Sequence, residues 1–200
     1  MLTTHGAVYL QLRTEGDIQQ RCQKAVMIFT IMTLVIFALA GVWVANMEGY
    51  EITSLIQHDA PSNPLHKVVQ KFTGVWLRNY QVYPLLMLIP SLGFIAGMFT
   101  ILLSKRNYLK SAFISSSLTI TSIILTAGVS MFPFLIPASQ SINHSLTVWD
   151  ASSSHTTLAI MFWVTVVFLP IIIIYTSWVF RVLSGKITLD HIRNNDHTAY

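Results

Sequence analysis

Seven histidines, one cysteine and eight methionines are the side chains in this sequence that could ligate a haem or a metal ion. Their placement argues against most of that chemistry. His5, His58, His66, His144, His155, His191 and His197 all stand in loops, at chain ends or in the short segment ahead of the first long apolar run. An axial haem ligand has to be held in a buried pocket. Met32, Met87, Met98 and Met161 do lie in apolar runs, where an unbranched thioether ordinarily serves as packing material. His5 is the histidine that a helix continued upstream could bury. Cys22 has no second thiol with which to form a disulfide or a thiolate metal site. No H-E-x-x-H, glycine-rich phosphate loop or cysteine pair occurs. Ser152, Ser153 and Ser154 precede His155, but serines just ahead of a helix are most simply its N-caps. No catalytic, cofactor-binding or metal-binding residue is therefore assigned.

The elements that would position any such group are apolar and long. The 200 residues are 53% hydrophobic and 10% charged, far below the charge content of a water-soluble domain. Four stretches exceed the ~20 residues that span a hydrocarbon core: 25–46, 84–104, 111–131 and 158–180. None contains Asp, Glu, Lys, Arg or His. Lipid demands that backbone polar groups be satisfied internally, so each is read as a helix. The fold expected is an all-α integral membrane protein, a four-transmembrane-helix bundle with a short N-terminal helix remnant and an outer-surface amphipathic helix. The start of the chain has no basic n-region followed by an apolar core, so insertion is expected to rely on the spans. The net charge of +4 is spread beside the apolar runs without a basic face, which argues against nucleic acid.

Lys and Arg set the orientation. Arg13, Arg21 and Lys24 precede the first span; Lys105, Arg106 and Lys110 fill the turn between the second and third; Arg181, Lys186 and Arg193 follow the fourth. The other side has Lys67, Lys71 and Arg78. Residues 1–24 are thus expected to be the end of a linking helix plus a cytoplasmic segment, 25–180 the bundle, and 181–200 a cytoplasmic tail. Leu2 to Leu12 reads either as the last turns of a helix that begins upstream or as a short surface helix. In the long outer loop Asn63 can cap a helix whose first position is Pro64. Leu65, Val68, Val69, Phe72 and Trp76 then share one face, which suits a helix lying on the membrane surface.

Gly93 and Gly97 form a G-x-x-x-G step, and the third span carries Ser115, Ser116, Ser117, Thr119, Thr121, Ser122 and Thr126. Small residues let helices approach and hydroxyls bond between them, so both spans should face protein as well as lipid. Pro90 and Pro170 are expected to kink their helices. Trp149 is placed as an interfacial anchor, and Asp150 can favour the start of the last helix through its dipole. Trp43, Asn63, Gly93, Gly97, Trp149 and Asp150 are the candidate subunit or interface contacts.

Several strings in order, AVYLQLRTEGDIQQR, FALAGVWV, SNPL, ILTAGVSMFPFLIPAS, SLTVWDASSSHTTL and IIIIYTSWVFRVLSGKIT, resemble subunit II of cytochrome bd-type ubiquinol oxidases. The resemblance covers essentially the whole chain and matches the C-terminal half of the family's length. It implies a respiratory membrane complex that oxidises quinol and reduces dioxygen to water, with haems b and d held by subunit I and none by this chain. The partners it implies are subunit I, the N-terminal half of subunit II, a small single-helix subunit, quinol through the complex, and the lipid bilayer of a bacterial inner membrane. Family acidic residues associated with proton entry belong to the N-terminal half, so none is carried over. Apolar grooves lined by Phe, Met and Leu would suit a structural quinone or lipid. The alternative is a non-enzymatic four-helix membrane protein, a transporter half or an assembly factor. Transporters place charged or broken-helix sites near the midplane, and the spans here have no charged residue.

Overall fold

The computed structural model describes residues 1–55 and 63–182. His58 and the tail beyond 182, with Lys186, His191, Arg193 and His197, lie outside the described residues. The chain divides into two compact units. The first, Met1–Glu51 with Gln70–Phe132, holds α1 (Leu2–Arg13), α2 (Asp17–Asn46), most of the paired strands β1 (Glu48–Ile52) and β2 (Val69–Thr73), α3 (Arg78–Val82), α4 (Leu88–Lys105) and α5 (Leu109–Met131). The second, 52–69 with 133–182, holds the antiparallel pair β3 (Phe134–Ile136) and β4 (Leu146–Thr147), and α6 (His155–Val182).

Among the described residues four helices are long and apolar enough to cross a membrane: Asp17–Asn46, Pro84–Lys105, Leu109–Met131 and His155–Val182. The chain is an all-α integral membrane protein, with short β ribbons confined to its loops. In the first unit α1 packs on α2 and α5, α2 on α4, and α4 on α5. The contact surface is made of small side chains: Ala7, Val8, Val26 and Ala112 are buried together, with Ala25, Leu103 and Phe113 around them. Lipid tails are as apolar as leucine, so close packing rather than water exclusion holds such helices. α6 buries none of its residues, and its Ile, Phe, Val and Trp side chains face outward.

Leu2 to Leu12 falls within α1, a helix packed on its neighbours. Thr4, Ala7, Val8 and Gln11 are buried at i, i+3, i+4 and i+7, one stripe of a helix. α2 starts at Asp17 rather than at Ala25, so most of the expected cytoplasmic segment before the first span is helical. Asp17 sits in the first turn, where the helix dipole favours it, and Gln19, Gln20, Arg21, Gln23 and Lys24 are good helix formers. Pro90 falls in the first turn of α4, where its missing N–H breaks no intrahelical bond, while Pro170 lies inside α6.

The outer-surface amphipathic helix is corrected. Its stretch is instead a 3-10 turn at Pro64–His66, strand β2, a second 3-10 turn at Val75–Leu77 and the short α3. Asn63 caps as expected, its side chain accepting from Leu65 N–H at 3.0 Å. Val69 and Phe72 prefer a pleated ribbon to a helix, and β1 supplies the backbone partners. Gly74, left-handed at φ 75°, then ends the strand.

Candidate functional site

Two polar constellations stand out in a chain otherwise built of apolar side chains. The first lies between α1, α2, α4 and α5. Gln11 is fully buried; its amide donates to the Ser104 carbonyl at 3.2 Å, and Ser104 Oγ donates back to Gln11 Oε1 at 2.7 Å. Gln23 donates to the same Ser104 carbonyl at 3.0 Å. That carbonyl belongs to the last turn of α4, where intrahelical partners run out, so two glutamines complete a helix end. Nearer the middle of α5, His5 Nδ1 lies 2.8 Å from Ser116 Oγ, and its ring packs 4.4 Å from that of Phe113. His5 is half-buried, with a serine and a phenylalanine of α5 as its surroundings.

Bonding between helices is more selective than the serine-rich sequence implied. Ser115 Oγ donates across to the Ala96 carbonyl of α4 at 2.7 Å. Thr119, Thr126, Ser117 and Ser130 donate to carbonyls of their own helix four residues back. Gly93 and Gly97 act within the chain: a Cβ on Gly93 would stand 3.2 Å from Ser122 of α5, and one on Gly97 would stand 2.8 Å from Leu34 of α2. The polar seam carries a stability prediction. Gln11→Leu strands the Ser104 hydroxyl while Gln23 still serves the carbonyl, and should cost about 1–2 kcal/mol. The thermal midpoint in mild detergent checks it, with Gln23→Leu expected to shift it less because Gln11 remains.

The second constellation lies in the second unit, in the loops. Lys67 is buried and forms an ion pair with Asp150, whose other carboxylate oxygen accepts from Thr147 N–H at 2.7 Å. Asn143 Oδ1 accepts from Val69 N–H at 2.9 Å, and the 3-10 turns at Pro64–His66 and Ile142–His144 touch. Asn63 Nδ2 lies 3.0 Å from His66 Nε2. Burial alone would raise the Asp150 pKa. The hydrogen bonds from Lys67 and Thr147, with the Lys67 charge, outweigh it and hold the carboxyl below its usual range. Asp150 is therefore tied into its loop by Lys67 rather than acting at the start of α6. Ser154, not Asp150, faces the first turn of α6, accepting weakly from Thr157 N–H at 3.4 Å.

Of the six candidate contacts, the structure brings Gly93 and Gly97 onto one helix and Asn63, Trp149 and Asp150 into the second unit. Trp43, on α2, is 74% exposed. Residues that sequence reasoning missed include Asn79, whose side chain donates to the carbonyls of Val129 and Phe132 at 2.7 Å each, and Tyr80, whose hydroxyl donates to Thr126 O at 2.8 Å. Asn79 caps the end of α5, whose last carbonyls would otherwise be orphaned, while Tyr80 adds a bond to a carbonyl that Ser130 also serves. Lys67, Lys71 and Arg78 are each paired: Lys67 with Asp150, Lys71 with Glu48 and Arg78 with Glu51. Among the described residues no group of three His, Cys, Asp or Glu stands together as a metal site. An apolar groove of about 340 Å³ runs between α4 and α5, lined by Leu92, Ile95, Phe99, Leu103, Ile114 and Leu118.

Residues 1–183 match the family model described as cytochrome bd terminal oxidase subunit II. Over its full length the chain is 46% identical to the cytochrome bd-I ubiquinol oxidase subunit 2 of Escherichia coli K12, covering 53% of that protein. It is 41% identical, again over its full length and 53% of the relative, to a probable cytochrome oxidase subunit 2 of Haemophilus influenzae. The chain thus spans about half the length of the curated relatives it matches.

Proposed function

The chain belongs to the family of cytochrome bd terminal oxidase subunit II, and from that premise we propose that it serves as part of the second subunit of a respiratory oxidase that oxidises quinol and reduces dioxygen to water. Its role there is a scaffold that holds no haem: it packs beside subunit I, which carries haems b and d, and against the N-terminal half of subunit II. The observation that supports this reading is chemical. No span carries Asp, Glu, Lys, Arg or His through its centre, whereas a membrane segment that itself moves protons, ions or electrons keeps ionisable groups at depth. The outward-facing apolar surface of α6 suits lipid or a neighbouring subunit equally. The groove between α4 and α5 has the size and lining for a lipid acyl or isoprenoid chain. The family match runs the length of the chain and disfavours the alternative of a transporter half or assembly factor.

The orientation follows from the Lys and Arg distribution, with the link between α1 and α2, the turn at 106–108 and the C-terminal tail in the cytoplasm. The ion-paired loops then lie on the outer face. Trp43, Asn63, Gly93, Gly97, Trp149 and Asp150 remain the residues proposed to shape subunit contacts, Trp43 directly and the others by holding the surfaces on which contacts form. The test is purification in mild detergent through a C-terminal tag placed at the natural locus, with a reduced-minus-oxidised spectrum. Copurification of a haem-bearing partner with b- and d-type bands is expected. A colourless protein purified alone would remove the oxidase role.

A further inference from the structure

We propose that a small cavity inside the first unit, bordered by a buried threonine hydroxyl, is a binding site for one ordered water molecule. The cavity lies among α1, α2, α4 and α5; Met1 and Ile120 line it together with the hydroxyl residues Thr4, Thr30, Thr33, Thr100, Ser116 and Thr119. Its volume of about 10 Å³ is close to the room that one water needs. Thr4 carries the argument. It is only 6% exposed, and its Oγ1 is buried with no hydrogen-bond partner among the described residues. A buried hydroxyl left without a partner costs about 1–3 kcal/mol.

None of the surrounding hydroxyls lies within hydrogen-bond reach of Thr4 Oγ1. Thr30 donates to Val26 O at 2.6 Å, Thr33 to Phe29 O at 2.7 Å, Thr100 to Ala96 O at 2.9 Å, Ser116 to Phe113 O at 2.8 Å and Thr119 to Ser115 O at 3.0 Å. Each has spent its one proton on its own helix and retains lone pairs. Apart from the Met1 amine, which donates to Thr33 Oγ1 at 3.1 Å, the polar groups beside Thr4 are left as acceptors. A molecule that brings two protons and accepts one matches it: water donates to two wall oxygens and accepts from Thr4 Oγ1. No carboxylate lines the cavity, so a cation there would be buried without a counter-charge, which is far more costly. Ser116 also contacts His5 at 2.8 Å. The bound water therefore joins α1 to three transmembrane helices through hydrogen bonds that none of them makes alone.

The test uses the whole purified assembly in lipid nanodiscs. A density map that resolves waters elsewhere in the protein should show one within hydrogen-bond distance of Thr4 Oγ1, unchanged when sodium is replaced by choline. A map of that quality without it, or density that vanishes in choline, overturns the proposal. Thr4→Val gives an independent reading, because it keeps the shape and removes the hydroxyl. With a bound water it lowers the thermal midpoint, by about 2–4 °C, and Thr4→Ser retains the wild-type value. In a dry cavity Thr4→Val removes an unsatisfied group and raises the midpoint, which would equally overturn the proposal.

Discussion

Asp150→Ala should destabilise the loop structure of the second unit by about 3 kcal/mol, because it leaves a buried ammonium without its counter-ion. The Lys67 side chain is 6% exposed and that of Asp150 12%, so water can replace the lost carboxylate only in part. The substitution also frees Thr147 N–H, which Asp150 holds at 2.7 Å. Asp150→Asn preserves the acceptor for Thr147 and removes the charge, and should cost less. Lys67→Met with Asp150→Asn removes both charges and should recover much of the loss, since a buried pair replaced as a unit is often close to neutral. Limited proteolysis of the loops and the thermal midpoint in nanodiscs, compared across this cycle, measure the coupling directly.

The same pair has a pH dependence of definite sign. Asp150 in the folded protein has a pKa lowered from its ordinary value, so folding favours its ionised form. Its contribution is complete above the unfolded carboxylate pKa of about 4 and is lost as pH falls through the lower folded value. Loop protection in wild type should therefore weaken below about pH 4. In Asp150→Asn that component of the acid dependence should be gone. An acid profile in the variant identical to that of wild type would show that the pair contributes nothing to it.

What the sequence made legible and what it did not divides along the range of the interactions involved. An apolar run long enough to span lipid specifies a helix locally, since no partner segment is needed to satisfy its backbone. That is why α2, α4, α5 and α6 cover the four expected stretches and differ mainly at their ends. Gly93 and Gly97 were likewise readable as points of close approach, because their spacing places them on one helix face. The loops were not readable in this way. The stretch from Leu65 to Trp76 has helical periodicity in its apolar residues, yet β2 exists because β1 lies alongside it. Lys67 and Asp150 are 83 residues apart, and each alone looks like an ordinary loop charge. Asn79 and Tyr80 gave no signal either, since the carbonyls they bond belong to a helix that ends some fifty residues later. The polar seam was half legible: serines and threonines in α5 announced helix contacts, but only the fold shows that Ser115 and Ser116 reach outside their helix.

Gly74→Val should be the most damaging single exchange in the loops of the first unit, at about 3 kcal/mol or more. Two costs coincide there. Gly74 has φ of 75°, a left-handed conformation that a β-branched residue adopts only with strain. A Cβ at this position would also stand 2.9 Å from the carbonyl oxygen of Ala45, a backbone atom in the last turn of α2 that cannot rotate away. Gly74 N–H meanwhile donates to Met47 O at 2.9 Å, so the turn is pinned to the end of α2 and cannot swing outward without losing that bond. Gly74→Asn should cost less than valine, as asparagine tolerates the left-handed region, but more than nothing, since its Cβ meets the same carbonyl. Gly128 supplies the control: a Cβ there meets nothing within 4 Å inside α5, and Gly128→Ala should leave stability unchanged or raise it slightly. Thermal midpoints of the three variants, in the order alanine at 128, asparagine at 74 and valine at 74 from highest to lowest, are the expected result. If valine at 74 matches wild type, the close approach of β2's end to α2 is not present in the membrane.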